Sequence, residues 1–452
     1  MMKDQKKVTL WLAVLCVLLL TFAQISGVSV LIAAVLVGYL ALLLVAKDAY
    51  VIPLFLFFLP WSAVLKLSPE SFSFSSAAIV LVFAVNCITR YAQKFPAQLI
   101  VATIGIAAVT FLSTLLHDYS VAFSHLMFIG MLVAYPVLMN WQKGDVEFET
   151  CLLFFSVGII SATVCSAVFI KEPNLQAYIN VVEYQNENIT RYCGFYADPN
   201  FYSAQILPAI GGQLLVINRK KEKRFWNTVL ALVLIACGVT SLSKSFMIGL
   251  AVVLLIWLFC QTKKSIGALL RVLLIVAVIV CIALASGLFT DVIDQYIIRF
   301  DEADSMSGLT TGRSKLWKMY FDFFWDRPGE LFIGQGYTSV LNTVSKGSHN
   351  TLIQCIYQLG VIGVIFLAIW VTAWVKSMVQ GKPGFLLSAL LLMSCFFMWM
   401  GLDLLFFDDF FLIMAFFLLG INYVHVTEQE KKQSLLATNE KVTLLNTSKT
   451  VE

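Results

Sequence analysis

The chain has 452 residues, of which 60% are apolar and only 13% are charged, and its formal net charge is +4. Because an ordinary soluble protein has about 25% charged residues, this composition excludes a typical soluble globular enzyme. The small positive charge does not indicate a nucleic acid partner, because the basic residues lie largely between apolar segments, where they set the orientation of a membrane protein.

Apolar runs of about twenty residues, the length of helix that crosses a hydrocarbon core of about 30 Å, recur from Val8 to Tyr423. The strands of a membrane β-barrel would alternate polar and apolar residues, and these runs do not alternate. The sequence therefore predicts an all-α polytopic integral membrane protein with about fourteen transmembrane helices. In chain order, we expect them near Val8–Ile25, Val28–Ala46, Tyr50–Leu67, Ser75–Tyr91, Ala97–Leu116, Val121–Asn140, Cys151–Ile170, Asn200–Ile217, Trp226–Thr240, Phe246–Thr262, Ile266–Gly287, Asn350–Val375, Phe385–Leu402 and Phe410–Val424.

The connections between these helices define the organisation of the chain. We predict N-terminal transmembrane helices in residues 1–170, a first long external loop in 171–199, central transmembrane helices in 200–287, a second long external loop in 288–349, C-terminal transmembrane helices in 350–424 and a cytoplasmic tail in 425–452. Lysine and arginine gather in alternate short connections, most densely between Arg219 and Arg224, and such residues stay on the cytoplasmic side. Both termini are therefore expected in the cytoplasm, with both long loops outside it.

The second long loop is rich in aromatic residues at helical spacing. The residues that share one predicted helical face are Leu316, Trp317, Tyr320, Phe321 and Phe324. We expect Thr310 or Thr311 to cap the start of this helix, and Pro328 with Gly329 to follow its end. The helix is either part of an aromatic belt at the membrane interface or a lid over a lipid-borne substrate.

The end of the first long loop is a candidate site for an anion. Asp198 is a good helix N-cap and Pro199 a good first helical residue, so a transmembrane helix is expected to begin here. Its amino terminus, near Asn200, would face outward, where free N–H groups and the helix dipole favour negative charge. Arg191 lies just upstream and would add to this field. The alternative is that these residues only cap the helix.

A polar turn, Ser243-Lys244-Ser245, separates two strongly apolar segments on the predicted outer side. A cation between apolar helices is costly unless it is solvated or paired. Lys244 therefore either extends to the membrane interface or contacts a phosphate, and the turn alone does not decide between them.

The second long loop contains Gly312-Arg313 followed by Trp317, and later Gly334-Gln335-Gly336. Arginine binds phosphate oxygens through two parallel hydrogen bonds and keeps its charge, which suits the binding of a diphosphate. The two glycines do not lie in a strand-to-helix unit, so a nucleotide-binding fingerprint is excluded.

His349 is the candidate catalytic residue. It stands in Ser348-His349-Asn350, at the outer start of a predicted transmembrane helix and beside the second long loop. The positive end of a helix dipole disfavours a charged imidazole, and a neutral ring can accept a proton from a sugar hydroxyl. The alternative is a polar triplet that only caps the helix.

Taken together, these segments resemble the bacterial O-antigen ligase and O-antigen polymerase family. The resemblance rests on the following elements, which occur in family order on the predicted outer face: Arg191 through Asp198-Pro199-Asn200, Ser243-Lys244-Ser245, Gly312-Arg313 with Trp317, Gly334-Gln335-Gly336, and His349-Asn350 before Gly360 and Gly363. The N-terminal third of the chain shares only its hydropathy with the family.

The resemblance implies a GT-C-like fold, in which the long external loop contains short helices. It also implies inverting, metal-independent glycosyl transfer from an undecaprenyl-diphosphate-linked glycan, with no cofactor, at the outer face of the bacterial cytoplasmic membrane. Arg191, Lys244 and Arg313 would bind the diphosphate, and His349 would activate the acceptor hydroxyl. The family more often has arginine where this chain has Lys244. Lysine keeps the charge there but lacks the planar fork of arginine.

We therefore expect a polysaccharide polymerase that joins lipid-linked repeat units. One alternative is a ligase that transfers finished glycan to another acceptor, and a second is a lipid-linked oligosaccharide flippase or transporter. The expected partners are the undecaprenyl-diphosphate-linked glycan and membrane lipids, to which a chain-length regulator and a flippase would be added for a polymerase. No nucleic acid partner is expected.

Overall fold

The computed structural model describes residues 2–89, 96–117, 120–179, 181–184, 189–196, 198–220, 222–262, 267, 290–301, 312–337, 339–379, 381, 384–426 and 429. Its helices and strands are α1 (Met2–Ser26), α2 (Ser29–Val45), α3 (Asp48–Phe58, extended by a 3-10 turn over Leu59–Trp61), α4 (Phe74–Thr89), α5 (Ala97–Leu116), α6 (Phe123–Trp141), α7 (Phe148–Val168), α8 (Pro173–Gln176), β1 (Val181–Tyr184), β2 (Ile189–Tyr192), α9 (Pro199–Arg219), α10 (Arg224–Val239), α11 (Lys244–Thr262), α12 (Thr290–Asp301), α13 (Arg313–Asp326), α14 (Pro328–Ile333), α15 (Thr351–Met378), α16 (Phe385–Phe396, extended by a 3-10 turn over Phe397–Gly401) and α17 (Asp408–Val426).

Among the described residues, seven helices are long and apolar enough to cross a membrane: α1 from Asp4 onward, α5, α6, α7, α11 as far as Gln261, α15 and α17. Shorter apolar helices are α2, α3 with its 3-10 turn, α4, α10 and α16 with its 3-10 turn. The predicted all-α membrane bundle is confirmed, while the count of fourteen stays a prediction. The predicted helix Ile266–Gly287 lies outside the described residues, apart from residue 267.

The first predicted external loop contains a small antiparallel hairpin, β1–β2, in which Val182 pairs with Arg191. Backbone hydrogen bonds attach this hairpin to the next connection, since the N–H of Tyr192 donates to the carbonyl of Thr240 at 3.1 Å. The hairpin therefore positions Arg191 against the turn between α10 and α11.

Segments predicted on the outer side contact one another, and together they form what we call the loop face. The amide of Gln24 at the end of α1 donates to the carbonyl of Val64 at 3.1 Å. At the end of α5, the hydroxyl of Ser113 donates to the carbonyl of Ile333 in the second long loop at 2.6 Å. Connections that are distant in sequence therefore meet on one face, as the alternation of spans predicts.

Segments predicted on the cytoplasmic side meet at the opposite end of the bundle. The ammonium of Lys6 donates to the hydroxyl of Thr150 at 3.0 Å. Lys220 and Lys223 both form ion pairs with Glu149. The basic cluster therefore contacts the start of α7, away from the loop face.

The centre of the bundle is formed by α3, in which every residue from Tyr50 to Phe58 is buried. A helix that is apolar on all sides is expected to be buried on all sides. The predicted span Tyr50–Leu67 is too long, because the helix ends at Phe58 and a 3-10 turn follows with Pro60 near its start. Proline has no N–H to donate, so it does not continue the α-helical hydrogen bonds.

The predicted face of the loop helix is partly wrong. Tyr320 and Phe324 are buried on α13, but Phe321 is 56% exposed. The contact with the rest of the chain is therefore a narrower stripe than the spacing suggests, and Phe321 lies beside it. The helix starts at Arg313 after Gly312, whose φ of 80° favours glycine. Thr310 and Thr311, predicted as caps, lie outside the described residues.

The predicted single span Asn350–Val375 is broken at Gly360, which has φ 63° and ψ 176°. Because the backbone at Gly360 is not helical, carbonyl groups one turn earlier lack their usual helical N–H donors. The N–H groups of Gln335 and Gly336 donate to the carbonyls of Tyr357 and Gln358 at 2.7 and 3.0 Å. The second long loop is therefore attached to α15 through its kink, which explains the glycines of the Gly-Gln-Gly segment.

Gly334 and Gly360 approach each other too closely for any side chain. A Cβ on Gly334 would lie 2.4 Å from the amide nitrogen of Gly360, and a Cβ on Gly360 would lie 2.3 Å from the carbonyl oxygen of Phe332. Both residues have positive φ, so an L side chain is strained as well as obstructed.

We expect Gly360→Ala to lower the amount of folded protein, because the strain alone costs about 1–3 kcal/mol. The measurement is membrane abundance together with the thermal unfolding midpoint in detergent. Gly38→Ala is the matched control, since a Cβ there meets nothing within 4 Å. Equal stability of the two variants would contradict the close approach.

Candidate active site

Arg191 enters the loop face from β2 and is buried, with 5% of its surface exposed. Its Nε donates to the carbonyl of Ser241 at 3.0 Å, in the turn between α10 and α11. This hydrogen bond uses one edge of the guanidinium and positions the cation beside the predicted polar turn.

Asp198 caps α9 as predicted, since its Oδ1 accepts from the N–H of Asn200 at 2.6 Å and Pro199 is the first helical residue. The carboxylate therefore already occupies part of the helix amino terminus at which an anion was expected. Asn200 serves another purpose, because its Oδ1 accepts from the hydroxyl of Ser243 at 2.7 Å. The cap and the polar turn are thus joined directly.

The polar turn itself is buried, and Lys244 is only 5% exposed as the first residue of α11. Ser243 stabilises the start of this helix by accepting from the N–H of Phe246 at 3.2 Å. This burial does not fit a lysine that extends to the interface, and the phosphate contact stays a prediction.

Arg313 joins the second long loop to the same turn. Its Nη1 donates to the hydroxyl of Ser245 at 2.9 Å. The guanidinium lies over Gly401, where a Cβ would be only 2.6 Å from Nη1. Burial lowers the pKa of Arg313, and the carboxylates of Asp198 and Asp403 oppose this shift. Arginine nevertheless remains charged, so Arg313 brings a fixed cation to the loop face.

His349 is held by a carboxylate that sequence reasoning missed as a site residue. The N–H groups of His349 and Asn350 donate to the two oxygens of Asp403 at 3.0 and 2.9 Å. The hydroxyl of Ser348 donates to the same carboxylate at 3.1 Å. His349 has a φ of 50°, an uncommon value that these hydrogen bonds stabilise.

Further contacts hold this segment from the other side. The indole N–H of Trp317 donates to the carbonyl of Ser348 at 3.0 Å. Asn350 caps α15, since its Oδ1 accepts from the N–H groups of Leu352 and Ile353 at 3.0 and 3.1 Å. Trp317 and Asn350 therefore hold the histidine segment in place, and their site-shaping role stays a prediction.

Asp403 connects the two halves of the cluster electrostatically. Burial raises the pKa of this carboxyl, whereas the neighbouring His349 and the hydrogen bonds from residues 348–350 lower it. The same carboxylate interacts with Arg313. Asp403 is an acidic residue at the outer end of a predicted span, which could have marked it as a candidate site residue. Its partner His349 lies 54 positions away, so the sequence did not indicate the contact.

The structure brings together Arg191, Lys244, Arg313, Trp317, His349, Asn350 and the segment from Asp198 to Asn200. Gly334 and Gly336 do not join this cluster, since they pack against α15 and α5. In the part of the chain that the structure describes, no group of three His, Cys, Asp or Glu residues could hold a metal ion.

A cavity of about 810 Å³ adjoins the cluster. Asp198 and Asp403 belong to both the cluster and the lining of the cavity. Asp408 and Asp409, at the start of α17, also line the cavity but do not belong to the cluster. Neither His349 nor the arginines line this cavity, so the cluster and the cavity are neighbouring sites that share two carboxylates.

Residues 229–368 match the family model of the O-antigen ligase. The match supports an O-antigen ligase/polymerase-like family. It includes Lys244, Arg313, His349 and the Gly-Gln-Gly segment, whereas Arg191 and Asp403 lie outside it. The search of curated proteins gives no match. An O-antigen ligase-type segment in a bundle of apolar helices indicates a polysaccharide-assembly enzyme of the membrane.

Proposed function

We propose that this chain is a polysaccharide polymerase that joins undecaprenyl-diphosphate-linked repeat units at the outer face of the cytoplasmic membrane. One observation carries the proposal: three buried or partly buried cations, Arg191, Lys244 and Arg313, lie on the same face as a histidine held by Asp403. Such a pairing of fixed positive charge and a proton acceptor suits transfer from a diphosphate leaving group.

The cations would bind the diphosphate. Arg191 and Arg313 each use part of the guanidinium to hold the polar turn, through Ser241 and Ser245. An arginine has five N–H donors in a planar fork, so one guanidinium can hold a protein oxygen and also bind phosphate oxygens. Because the Asp198 carboxylate takes the N–H of Asn200, binding would depend on these side chains rather than on the amino terminus of α9.

His349 would act as the general base. In a single displacement, the imidazole accepts the proton of an acceptor hydroxyl, whose oxygen forms a bond to C1 of the donor sugar. The bond from C1 to the diphosphate breaks, and its electron pair leaves with the diphosphate, whose growing charge the cations stabilise. Attack on the face opposite the leaving group inverts the configuration at C1.

Asp403 would support this step by holding the histidine rather than by reacting with the substrate. It positions His349 through the backbone N–H, and its charge acts on the imidazole. Asp403 is therefore proposed as a positioning residue.

The ligase remains the second candidate, because the family model that matches is that of the O-antigen ligase. Purified protein incubated with lipid-linked repeat units distinguishes the two. We expect a ladder of products that differ by one repeat unit, which a polymerase forms without another acceptor. Product formation only after a second acceptor is added would favour the ligase, and no transfer under either condition would overturn the proposed function.

A further inference from the structure

The cavity beside the candidate active site has an acidic lining. Asp198, Asp403, Asp408 and Asp409 line it, and Lys66 supplies the single cation among the lining residues that the structure describes. The ammonium of Lys66 donates to the carbonyl of Pro69 at 3.2 Å within its own exposed loop. The lining is therefore unsuited to an anion, in contrast to the neighbouring arginines.

The side-chain hydrogen bonds that Asp408 and Asp409 accept come from neutral groups. Asp408 accepts from the hydroxyls of Ser76 and Tyr135 at 2.8 and 3.4 Å, and Asp409 accepts from the amide of Gln205 at 2.6 Å. A carboxylate has about four lone-pair positions, so these contacts leave acceptor capacity on both groups.

Gln358 gives an independent indication that the cavity receives a polar ligand. It is 4% exposed and lines the cavity. Its Nε2 donates to the carbonyl of Ser339 at 3.0 Å, while its Oε1 has no hydrogen-bond partner. A buried amide oxygen without a partner is unfavourable, and a donor from a ligand would remove this cost.

The cavity also has aromatic walls. Phe72 and Phe407 line it and keep 37% and 51% of their surfaces exposed. Its volume of about 810 Å³ falls within the range of about 300–1,000 Å³ that is usual for ligand pockets. A site of this size with hydroxyl acceptors and apolar surfaces fits a ligand that has both polar edges and apolar faces, such as a sugar ring.

We propose that this cavity binds a pyranose ring of the glycan that carries hydroxyl, N-acetyl or amino groups but no carboxylate or phosphate. In the described lining, a further anion would meet the carboxyl groups of Asp408 and Asp409 and no arginine to pair with, and an unpaired charge at a buried site is costly. The assignment of this ring to a glycan rests on the proposed function. The ring belongs either to the lipid-linked donor or to the acceptor, since both present the same chemistry.

Direct binding tests the proposal without any transfer reaction. The purified full-length chain in lipid nanodiscs is mixed with methyl glucoside, methyl galactoside, methyl N-acetylglucosaminide, methyl glucuronide or methyl galacturonide, and binding is followed by saturation-transfer NMR. We expect at least one neutral glycoside to bind, and to bind about tenfold or more tightly than the uronic acids. Equal or tighter binding of a uronic acid, or no binding of any neutral glycoside, would overturn the proposal.

Two variants locate the binding site. Ala63 lines the cavity, so Ala63→Trp should fill it and abolish binding, whereas Ala122→Trp on the exposed end of α6 should not. Asp409→Asn keeps an oxygen for Gln205 but removes the ionisable carboxyl group, so it should reduce the preference for neutral over acidic sugars. Unchanged binding in Ala63→Trp, or an unchanged preference in Asp409→Asn, would contradict this location.

A transfer assay separates this proposal from the proposed function. If Ala63→Trp raises the KM only for a diphosphate-free acceptor glycan, the ring belongs to the acceptor, and if it raises the KM only for the lipid-linked substrate, the ring belongs to the donor. Either result supports the cavity assignment. A wild-type chain that binds neutral glycosides but transfers nothing would remove the proposed polymerase and leave the cavity assignment standing.

Discussion

His349→Ala is expected to lower the rate of polymer formation by about 10²–10⁴-fold, the usual contribution of a general base. The variant should still fold, because Asp403 binds the backbone N–H of residue 349 rather than its side chain. The measurement is the amount of polymer formed from lipid-linked repeat units, normalised to the amount of protein in the membrane.

The matched control for this substitution is His425→Ala. His425 lies at the end of α17, beside Gly381 and Gln429, and hence at the end of the bundle opposite the loop face. We expect this control to keep wild-type activity. Full activity in His349→Ala, at normal abundance, would remove the histidine from the mechanism.

Substitutions at Arg313 should separate charge from geometry. Arg313→Ala is expected to lower the rate by about 10²–10³-fold, because it removes a fixed group that stabilises the charge of the leaving diphosphate. Arg313→Lys keeps the charge but loses the planar fork, so we expect an intermediate rate. Glycosyl transfer at saturating substrate, together with KM, measures both variants.

Lys315→Ala is the control for these variants, since Lys315 lies two residues along the same helix and is exposed. Its loss should change the rate little. Wild-type kinetics in Arg313→Lys would show that a single positive charge is enough at this position, and wild-type kinetics in Arg313→Ala would contradict a role in diphosphate binding.

Local sequence signals predicted the parts of the candidate site that depend on neighbouring residues. The Asp198-Pro199 cap is an example, because an N-cap side chain and the N–H it accepts from are two residues apart. The loop helix α13 and the cap at Asn350 belong to the same class, although α13 begins after Gly312 and not after the predicted Thr310 or Thr311. Such features depend only on residues that lie within about one helical turn of each other in the sequence.

Other parts of the site depend on residues far apart in sequence, and sequence reasoning missed them. Asp403 contacts residues 348–350 only because the end of α16 returns to the start of α15. The chain is kinked at Gly360, and the second long loop approaches this kink closely at Gly334. The sequence around either glycine does not indicate that the two are in contact. Phe321 is exposed because α13 contacts the rest of the chain along a narrow stripe. Helical spacing does not specify the width of such a contact.

The sequence by itself determined that the chain is a bundle of apolar helices with its polar residues gathered at alternate ends, because water and hydrocarbon sort segments by composition alone. Only the tertiary structure decided which polar residues meet. It joined Arg191 to the turn at Ser241, placed Arg313 over Gly401 and attached His349 to Asp403. These contacts depend on how the helices pack against one another, and packing is a property of surfaces that come from distant segments.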